Sequence, residues 1–380
     1  MKTPTVLALP WPAQGHVNPL MTFSQKLADH GCNIIFVNTE FIHEKVVMSS
    51  INGSSSIKLM SIPDGLEPED DRRNIGELCT SMLRTMPSML EKLIEDLRLN
   101  DGVTISCIVY DGTMGWALEV AKKMGINGAL FWPASAALFA MQYNIPKLID
   151  DGIIDSQGAP TAERRFQLSP SIREMDTGLI WWTNFPKIET QRKMFKYLLS
   201  FTKTQYSTDW YFCNTTNELE HAALSCFPKL LPIGPLLKSN NNEDSTTSFL
   251  EEDLSCMSWL DNHSTASVLY VAFGSTTHFN EKQFVELALG LDLTNKPFLL
   301  VMRQDFKYEF KAGSRGDENG LISHEEIKAK VDQLLGDENI KSRSLELEKK
   351  LKSNNEKGGA SRENLRKFVA WLKKEEQTMS

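Results

Sequence analysis

The chain has no Cys-x-x-Cys pair, no Gly-x-Gly-x-x-Gly, no apolar run of membrane-spanning length and no surplus of positive charge. Each absence narrows the field. Without a glycine-rich dinucleotide fingerprint, a nicotinamide-dependent reading has little support. Without ligand-spaced Cys and His clusters, no metal site is expected. The six cysteines (Cys32, Cys79, Cys107, Cys213, Cys226 and Cys256) are scattered and read as reduced thiols in or near strands. A formal net charge of -8 argues against nucleic acid or an anionic membrane as the main partner. No segment approaches the length of a bilayer span, and the short apolar run near the N-terminus reads as a strand rather than a signal peptide. A soluble cytoplasmic protein is therefore expected, in which the triplets at Asn52, Asn214 and Asn262 never meet the glycosylation machinery.

What is present is an ordinary globular composition, 24% charged and 41% hydrophobic, in 380 residues, enough for two domains each with its own core. Thr5 to Leu9 reads as a buried strand. A helical pattern follows from Val17, with Leu20, Met21, Phe23, Leu27 and Ala28 on one face, and Gly31 ends it. Asn33 to Val37 is a second apolar run. Strand, helix, strand at this spacing is a right-handed βαβ unit of a parallel sheet. His16 is thereby placed at the carboxyl end of the first strand, where open α/β sheets keep their ligands. It also lies at a helix N-terminus, whose positive end disfavours imidazolium. A neutral histidine there can take a proton, although on position alone His16 reads first as a loop histidine with no chemistry.

The alternation continues through a strand at 57–62, a helix over Met86 to Leu99, and the run Ile105 to Asp111, which ends in a carboxylate. A helix carrying Met114, Ala117, Leu118, Ala121 and Met124 follows, then a strand at 126–132 and an apolar helix from Ala134 to Ile149. Residues 150–186 read as irregular, and 208–214 and 231–236 close the first domain. The polar, acidic stretch 238–255 has the composition of a linker, so the boundaries expected are 1–237, a linker at 238–255, and a second domain at 256–380. That second domain opens with a βαβ unit (267–273, 281–291, 297–303) and then offers only helices, at 327–335, 340–351 and 362–373. Two parallel strands give too little sheet for a doubly wound domain, so it reads as incomplete.

Asp111 shares a sheet with the strand before His16, so the two side chains can converge at its carboxyl edge. A carboxylate on one imidazole nitrogen fixes the tautomer and stabilises the cation formed on proton capture. On spacing alone, Asp111 reads first as the N-cap of the next helix, a role that can coexist with the other. The turn Gly274-Ser275 after a strand can present backbone N–H groups to anionic oxygens, or be only a turn. The run Asp317 to Glu326 echoes a calcium loop, but a cation, Arg315, stands at its first ligand position and the run reads as a turn into a helix.

The string Ala13-Gln14-Gly15-His16-Val17-Asn18-Pro19-Leu20 resembles the opening of the plant secondary-product UDP-glycosyltransferases. Asn214 to Glu220, Pro232 to Leu236, Trp259-Leu260-Asp261, Ser267 to Ser275 and Phe368 to Leu372 are similar to further landmarks of that family. The resemblance implies an α/β fold of the GT-B type, with two Rossmann-like domains. It also implies transfer of a hexose, usually glucose, from a UDP-sugar to a small lipophilic acceptor, with inversion. His16 would be the base and Asp111 its partner. Gly15, Gly274 and Ser275 would lie toward the donor, which is a co-substrate and not a resident cofactor. Phe131, Trp132, Ser135, Phe139 and Gln142 are candidates for an acceptor pocket, each also readable as core. Family members carry a donor-binding box after the region that corresponds to Arg303, with Trp-Ala-Pro-Gln and His-Cys-Gly-Trp-Asn-Ser strings, and neither string occurs here. His278, His324 and Trp371 stand in the wrong contexts to replace them. The expectation is a truncated donor domain, impaired or absent transfer, and a monomer prone to aggregation through exposed sheet edges. The alternative is a non-catalytic remnant that binds an acceptor or a partner only.

Overall fold

Short β-branched and aromatic runs separated by amphipathic stretches build a parallel sheet in the computed structural model, which describes residues 3–49, 56–237, 255–274, 281–302 and 321–378. In chain order the first elements are β1 (Thr5–Leu9), α1 (Gln14–Asp29), β2 (Asn33–Thr39), α2 (Glu40–Ser49), β3 (Ile57–Ile62), α3 (Ile75–Asn100), β4 (Cys107–Asp111), α4 (Trp116–Lys123) and β5 (Asn127–Trp132). They are followed by α5 (Ala136–Tyr143), α6 (Ile145–Asp150), a short antiparallel pair β6 (Arg165–Phe166) and β7 (Met175–Asp176), α7 (Ile188–Gln205), β8 (Trp210–Cys213), α8 (Asn217–Cys226) and β9 (Leu230–Pro232). The seven long-range strands run parallel in the order β3-β2-β1-β4-β5-β8-β9. The order reverses between β1 and β4, which pair with Leu9 opposite Tyr110. That reversal is the topological switch point, beyond whose strand carboxyl ends open α/β sheets keep their ligands.

Strand alternation sorts the core into two layers. Leu7, Leu9, Ile108, Tyr110, Leu130 and Trp132 face α3, α4, α5 and α7, while Val6, Ala8, Val109, Ala129, Phe131 and Phe212 face α1. The helix expected from Met86 starts eleven residues earlier, at Ile75, and buries Leu78, Cys79, Met82, Met86, Leu90, Ile94 and Leu97 along one stripe. Helix α7, which the sequence pattern does not announce, buries Met194, Phe195, Tyr197, Leu198 and Phe201 against the same layer. Between α6 and α7 the expected irregular segment holds only β6, β7 and two short 3-10 turns.

The remaining described elements are α9 (Ser255–Asp261), β10 (Leu269–Ala272), α10 (Glu281–Asp292), β11 (Phe298–Val301), α11 (His324–Gly336), α12 (Glu338–Ser353) and α13 (Ala360–Thr378). The chain divides into two compact units, 1–251 with 349–380, and 252–348. Of the expected linker, 238–254 lies outside the described residues. The tail, assigned on sequence to the second domain, belongs to the first. The reason is the aromatic layer under α1. Phe368 is fully buried beside Phe23, Phe212 and Trp210, with ring centroids 6.4, 4.8 and 5.4 Å away. Polar groups fix the register: Ser361 Oγ donates to Gly234 O, Asn364 Nδ2 to Pro232 O, Asn355 Nδ2 to Pro235 O and Lys373 Nζ to His30 O.

The second unit has a different character. Its sheet has two parallel strands, β10 and β11, among the described residues. Tyr270 on β10 and Val301 on β11 are 70% and 50% exposed, and the buried apolar side chains described in this unit are Leu287 and Leu291 of α10. No described helix in either unit is long and apolar enough to cross a membrane.

Phe368→Ala removes the ring that covers Phe23 and Phe212 and should cost about 3–5 kcal/mol, read as a lower urea midpoint. A loss under about 1 kcal/mol would mean the tail is not part of this core. Burial holds the Cys79, Cys107 and Cys213 thiols far above their ordinary range and Cys32 at about 11. Native alkylation at pH 8 should therefore label only the part-exposed Cys226 and Cys256, with the other four reacting after denaturation.

Candidate active site

β1 delivers the chain into the loop Pro10 to Ala13, and α1 starts at Gln14 with the Ala13 carbonyl accepting from His16 N and Val17 N, both at 2.9 Å. Pro19 has no amide, so it leaves the Gly15 carbonyl without its i+4 donor and loosens the first turn that carries His16. β4 ends at Asp111 on the neighbouring strand. The two side chains meet: His16 Nδ1 lies 2.7 Å from Asp111 Oδ2.

The carboxylate is completely buried and the histidine side chain is 27% exposed. Asp111 Oδ1 accepts from Thr113 N at 2.9 Å and from Thr113 Oγ1 at 2.6 Å. With one oxygen saturated by Thr113, the other is the acceptor for the imidazole. A buried ionised carboxylate needs a donor there, so Nδ1 carries the proton and Nε2 is left for chemistry. The helix-cap alternative for Asp111 is corrected by this geometry. Gly115 is the N-cap of α4, and Asp111 closes the Asx turn before it.

The turn is built to be close-packed. A Cβ on Gly112 would come within 2.6 Å of Trp132 Cε3, and one on Gly115 within 2.2 Å of Phe201 Cδ2. Glycine at both positions lets β5 and α7 press against the backbone that carries Asp111. Tyr197 lies below, accepting from Trp116 Nε1 at 3.2 Å. Burial above all, with smaller contributions from Cys79 and the Asp111 charge, holds its phenol well above the usual range, so it stays neutral beside the pair.

The other sequence candidates are dispersed. Gly15 is exposed in the first turn of α1. Gly274 follows β10 at φ +73°, a backbone state that favours glycine, in the second unit. Ser275 and His278 lie outside the described residues, as does the stretch 303–320. The expected acceptor wall is mostly core. Phe131 points to the α1 face and stacks on Phe23 at 5.5 Å, because β5 alternation sends it opposite to Trp132. Trp132 donates through Nε1 to Ser135 O and meets Phe139 edge-on at 5.6 Å, and Phe139 continues into Tyr143, Tyr211 and Phe227. Gln142 is buried, with Nε2 on Gly112 O. Of the five, Ser135 alone is at the surface, as the N-cap of α5. His324 is held between Glu286 and Glu325 inside the second unit, and Trp371 packs on Phe368 and Trp210. Thr113 and Gln205, whose Nε2 also reaches Gly112 O, are the site residues that sequence reasoning passed over. A Thr two residues after an Asp is a legible turn signal, whereas nothing local marks Gln205.

In sequence and fold the chain is similar to known proteins. A family model for the glycosyltransferase N-terminal domain covers residues 3–63. Among solved structures, Os79 from O. sativa in complex with UDP superposes with a TM-score of 0.75 at 19% identity, over 97% of this chain and 100% of that one. A UDP-glucosyltransferase from Polygonum tinctorium capable of glucosylating indoxyl gives a TM-score of 0.77 at 18% identity, over 98% and 99%. The shared architecture is the α/β fold of GT-B glycosyltransferases. UDP-glycosyltransferase 83A1 of Arabidopsis thaliana is 35% identical over 452 aligned positions, spanning 98% of this chain and 97% of that protein. The chain belongs to the plant UDP-glycosyltransferase family. Another relative is the (R)-mandelonitrile beta-glucosyltransferase of Prunus dulcis, 30% identical over 79% of this chain and 67% of that one. By family, then, this UDP-glycosyltransferase is a transferase of plant secondary metabolism.

In Asp111→Asn the side chain can turn its amide toward His16 and reverse the hydrogen bond, moving the ring proton to Nε2. Nitrogen-15 NMR of the neutral histidine should show the Nδ1–H tautomer in the parent and the Nε2–H tautomer in the variant. An Nε2–H ring in the parent would overturn the assignment of Nε2 as the free base.

Proposed function

We propose that His16 Nε2 is the general base for transfer of a hexose, glucose by preference, from a UDP-sugar to a hydroxyl of a small lipophilic acceptor. The single observation that carries this reading is the 2.7 Å bond between His16 and the buried Asp111 at the switch point of the sheet. The acceptor O–H proton passes to Nε2 as the oxygen attacks the anomeric carbon from the face opposite the diphosphate. The anomeric carbon–oxygen bond to phosphate breaks, UDP leaves, and the configuration inverts. Asp111 holds the Nδ1–H tautomer and stabilises the imidazolium that forms. Gly15, in the first turn of α1, is proposed to lie toward the diphosphate of the donor. Names among the relatives, such as the mandelonitrile glucosyltransferase and the indoxyl-glucosylating enzyme, support a small apolar acceptor and a glucose donor.

The donor half of this chain is proposed to be incomplete, and its transfer step impaired. Three observations support that. The donor-box strings do not occur in the sequence. The alignment with the Arabidopsis relative runs over 452 positions, more than the 380 residues present, so it opens gaps in this chain. The second unit carries a two-stranded sheet among its described residues, with Tyr270, Phe273, Val301 and Met302 exposed. The same exposed side chains support a tendency to self-associate. On this reading the chain is a folded acceptor-side unit that binds an acceptor or a partner without turning over.

Calorimetric titration of the monodisperse protein with UDP and with UDP-glucose tests the impairment. The expected result is no binding heat at micromolar concentrations from a chain that unfolds cooperatively. Micromolar binding of either ligand would overturn the incomplete donor site and restore the full transferase.

A further inference from the structure

Gln142 and Gln205 come from two helices far apart in sequence and end on one atom. Gln142 Nε2 donates to Gly112 O at 3.0 Å and Gln205 Nε2 donates to the same oxygen at 2.6 Å. Both side chains are buried to 1% exposure. Gly112 is the residue after Asp111, and its own N–H is taken by Phe131 O at 2.9 Å, as a continuation of the β4–β5 ladder. Both lone pairs of one carbonyl are thus claimed by charge-neutral donors that no water can replace.

Neither glutamine is explained by packing. The Gln142 Oε1 is buried and finds no hydrogen-bond partner among the described residues, so the bond its carboxamide shows there is the one to Gly112. A leucine would fill the same space without stranding an oxygen. Gln205 is the last residue of α7, and its own carbonyl accepts from Tyr211 Oη at 2.6 Å, which fixes the end of the helix from which the side chain reaches. A Cβ on Gly115 would come within 2.7 Å of Gln205 Nε2, so glycine there leaves room for the carboxamide.

We propose that Gln142 and Gln205 are positioning residues for the base. By clamping the Gly112 carbonyl they fix the 112–113 peptide plane, whose Thr113 N–H donates to Asp111 Oδ1, and with it the direction of the carboxylate toward His16. This rests on the reading of His16 and Asp111 as base and partner. The coupling is mechanical. Thr113 binds one carboxylate oxygen from the same turn, so a rotation of the 112 peptide would carry Thr113 and Asp111 away from the imidazole together.

The test reads the hydrogen bond itself and needs no turnover. The proton shared between His16 Nδ1 and Asp111 gives a downfield NMR resonance whose exchange with water reports how firmly the pair is held. Gln142→Met and Gln205→Met keep the side-chain volume and remove the donor, and the single variants cover the case in which the double variant does not fold. Thr202→Val is the control, since Thr202 is equally buried on α7 and its hydroxyl donates within its own helix, to Leu198 O. The expected result is a resonance present in the parent and in Thr202→Val, about tenfold faster exchange in each single glutamine variant, and loss of the signal in the double variant. Exchange unchanged in both single variants would overturn the positioning role while leaving the base and its partner intact. A parent chain without the resonance would overturn the pair itself, and the positioning role with it.

Discussion

A fully buried carboxylate is the constraint around which the first unit is arranged. Taking an ionised group out of water costs several kcal/mol unless donors replace the solvent shell. Asp111 has three, two from Thr113 and one from His16. Those donors exist only if the turn 111–115 has one shape, and that shape requires glycine at 112 and 115, the indole of Trp132 on one side and α7 on the other. The parallel order of β1 and β4 brings the two chain segments together, since adjacent strands at the sheet reversal are the ones whose carboxyl ends are not both covered by the same connection. Fold, turn and protonation state are consequently one problem. A change that rotates the turn leaves a charge without partners, and the histidine then loses both its tautomer and its anchor.

The second constraint is that a parallel sheet must be covered on both faces. One face is closed by α3, α4, α5 and α7 from the same stretch of chain. The other is closed by α1 and, across the Phe23, Phe131 and Phe212 layer, by α13 from the far C-terminus. Aromatic contacts of this kind add about 0.5–1.5 kcal/mol per pair beyond area burial. The tail is therefore an element of the first unit, although it lies far from the rest of that unit in sequence.

Much of this was legible in the chain. The period-2 and period-3.6 patterns locate β1 to β5, α1 and α4 within a few residues, because those segments are buried on one side or both and their composition records it. The convergence of His16 and Asp111 was legible because each sits where a strand hands over to a turn, while their roles as base and partner came only from the family resemblance. Three things were not. Helix α7 carries its apolar residues among lysines, and its role is set by packing on α3 and not by its own contrast. Phe131, Trp132, Phe139 and Gln142 look like pocket residues in sequence because apolar and aromatic side chains line pockets and cores alike, and only the alternation of β5 and the depth of α5 separate the two. The membership of α13 could not be read locally either, since an amphipathic helix states that it has a partner face without naming the partner.

These constraints distribute unequally along the chain, and that inequality bears on the proposed loss of the donor box. Everything the buried carboxylate needs lies between residues 5 and 213, and everything the second sheet face needs lies in that stretch and the tail. A gap confined to the second unit, after Arg303, removes neither. The first unit can then hold the buried carboxylate and close its core whatever the state of the second, whose described strands keep Tyr270 and Val301 largely in water. A loss that ran to the C-terminus would have been a different matter, because it would have uncovered Phe23 and Phe212 and with them the sheet that aims His16. Retention of the tail is what makes a folded first unit compatible with the proposed incompleteness of the donor side.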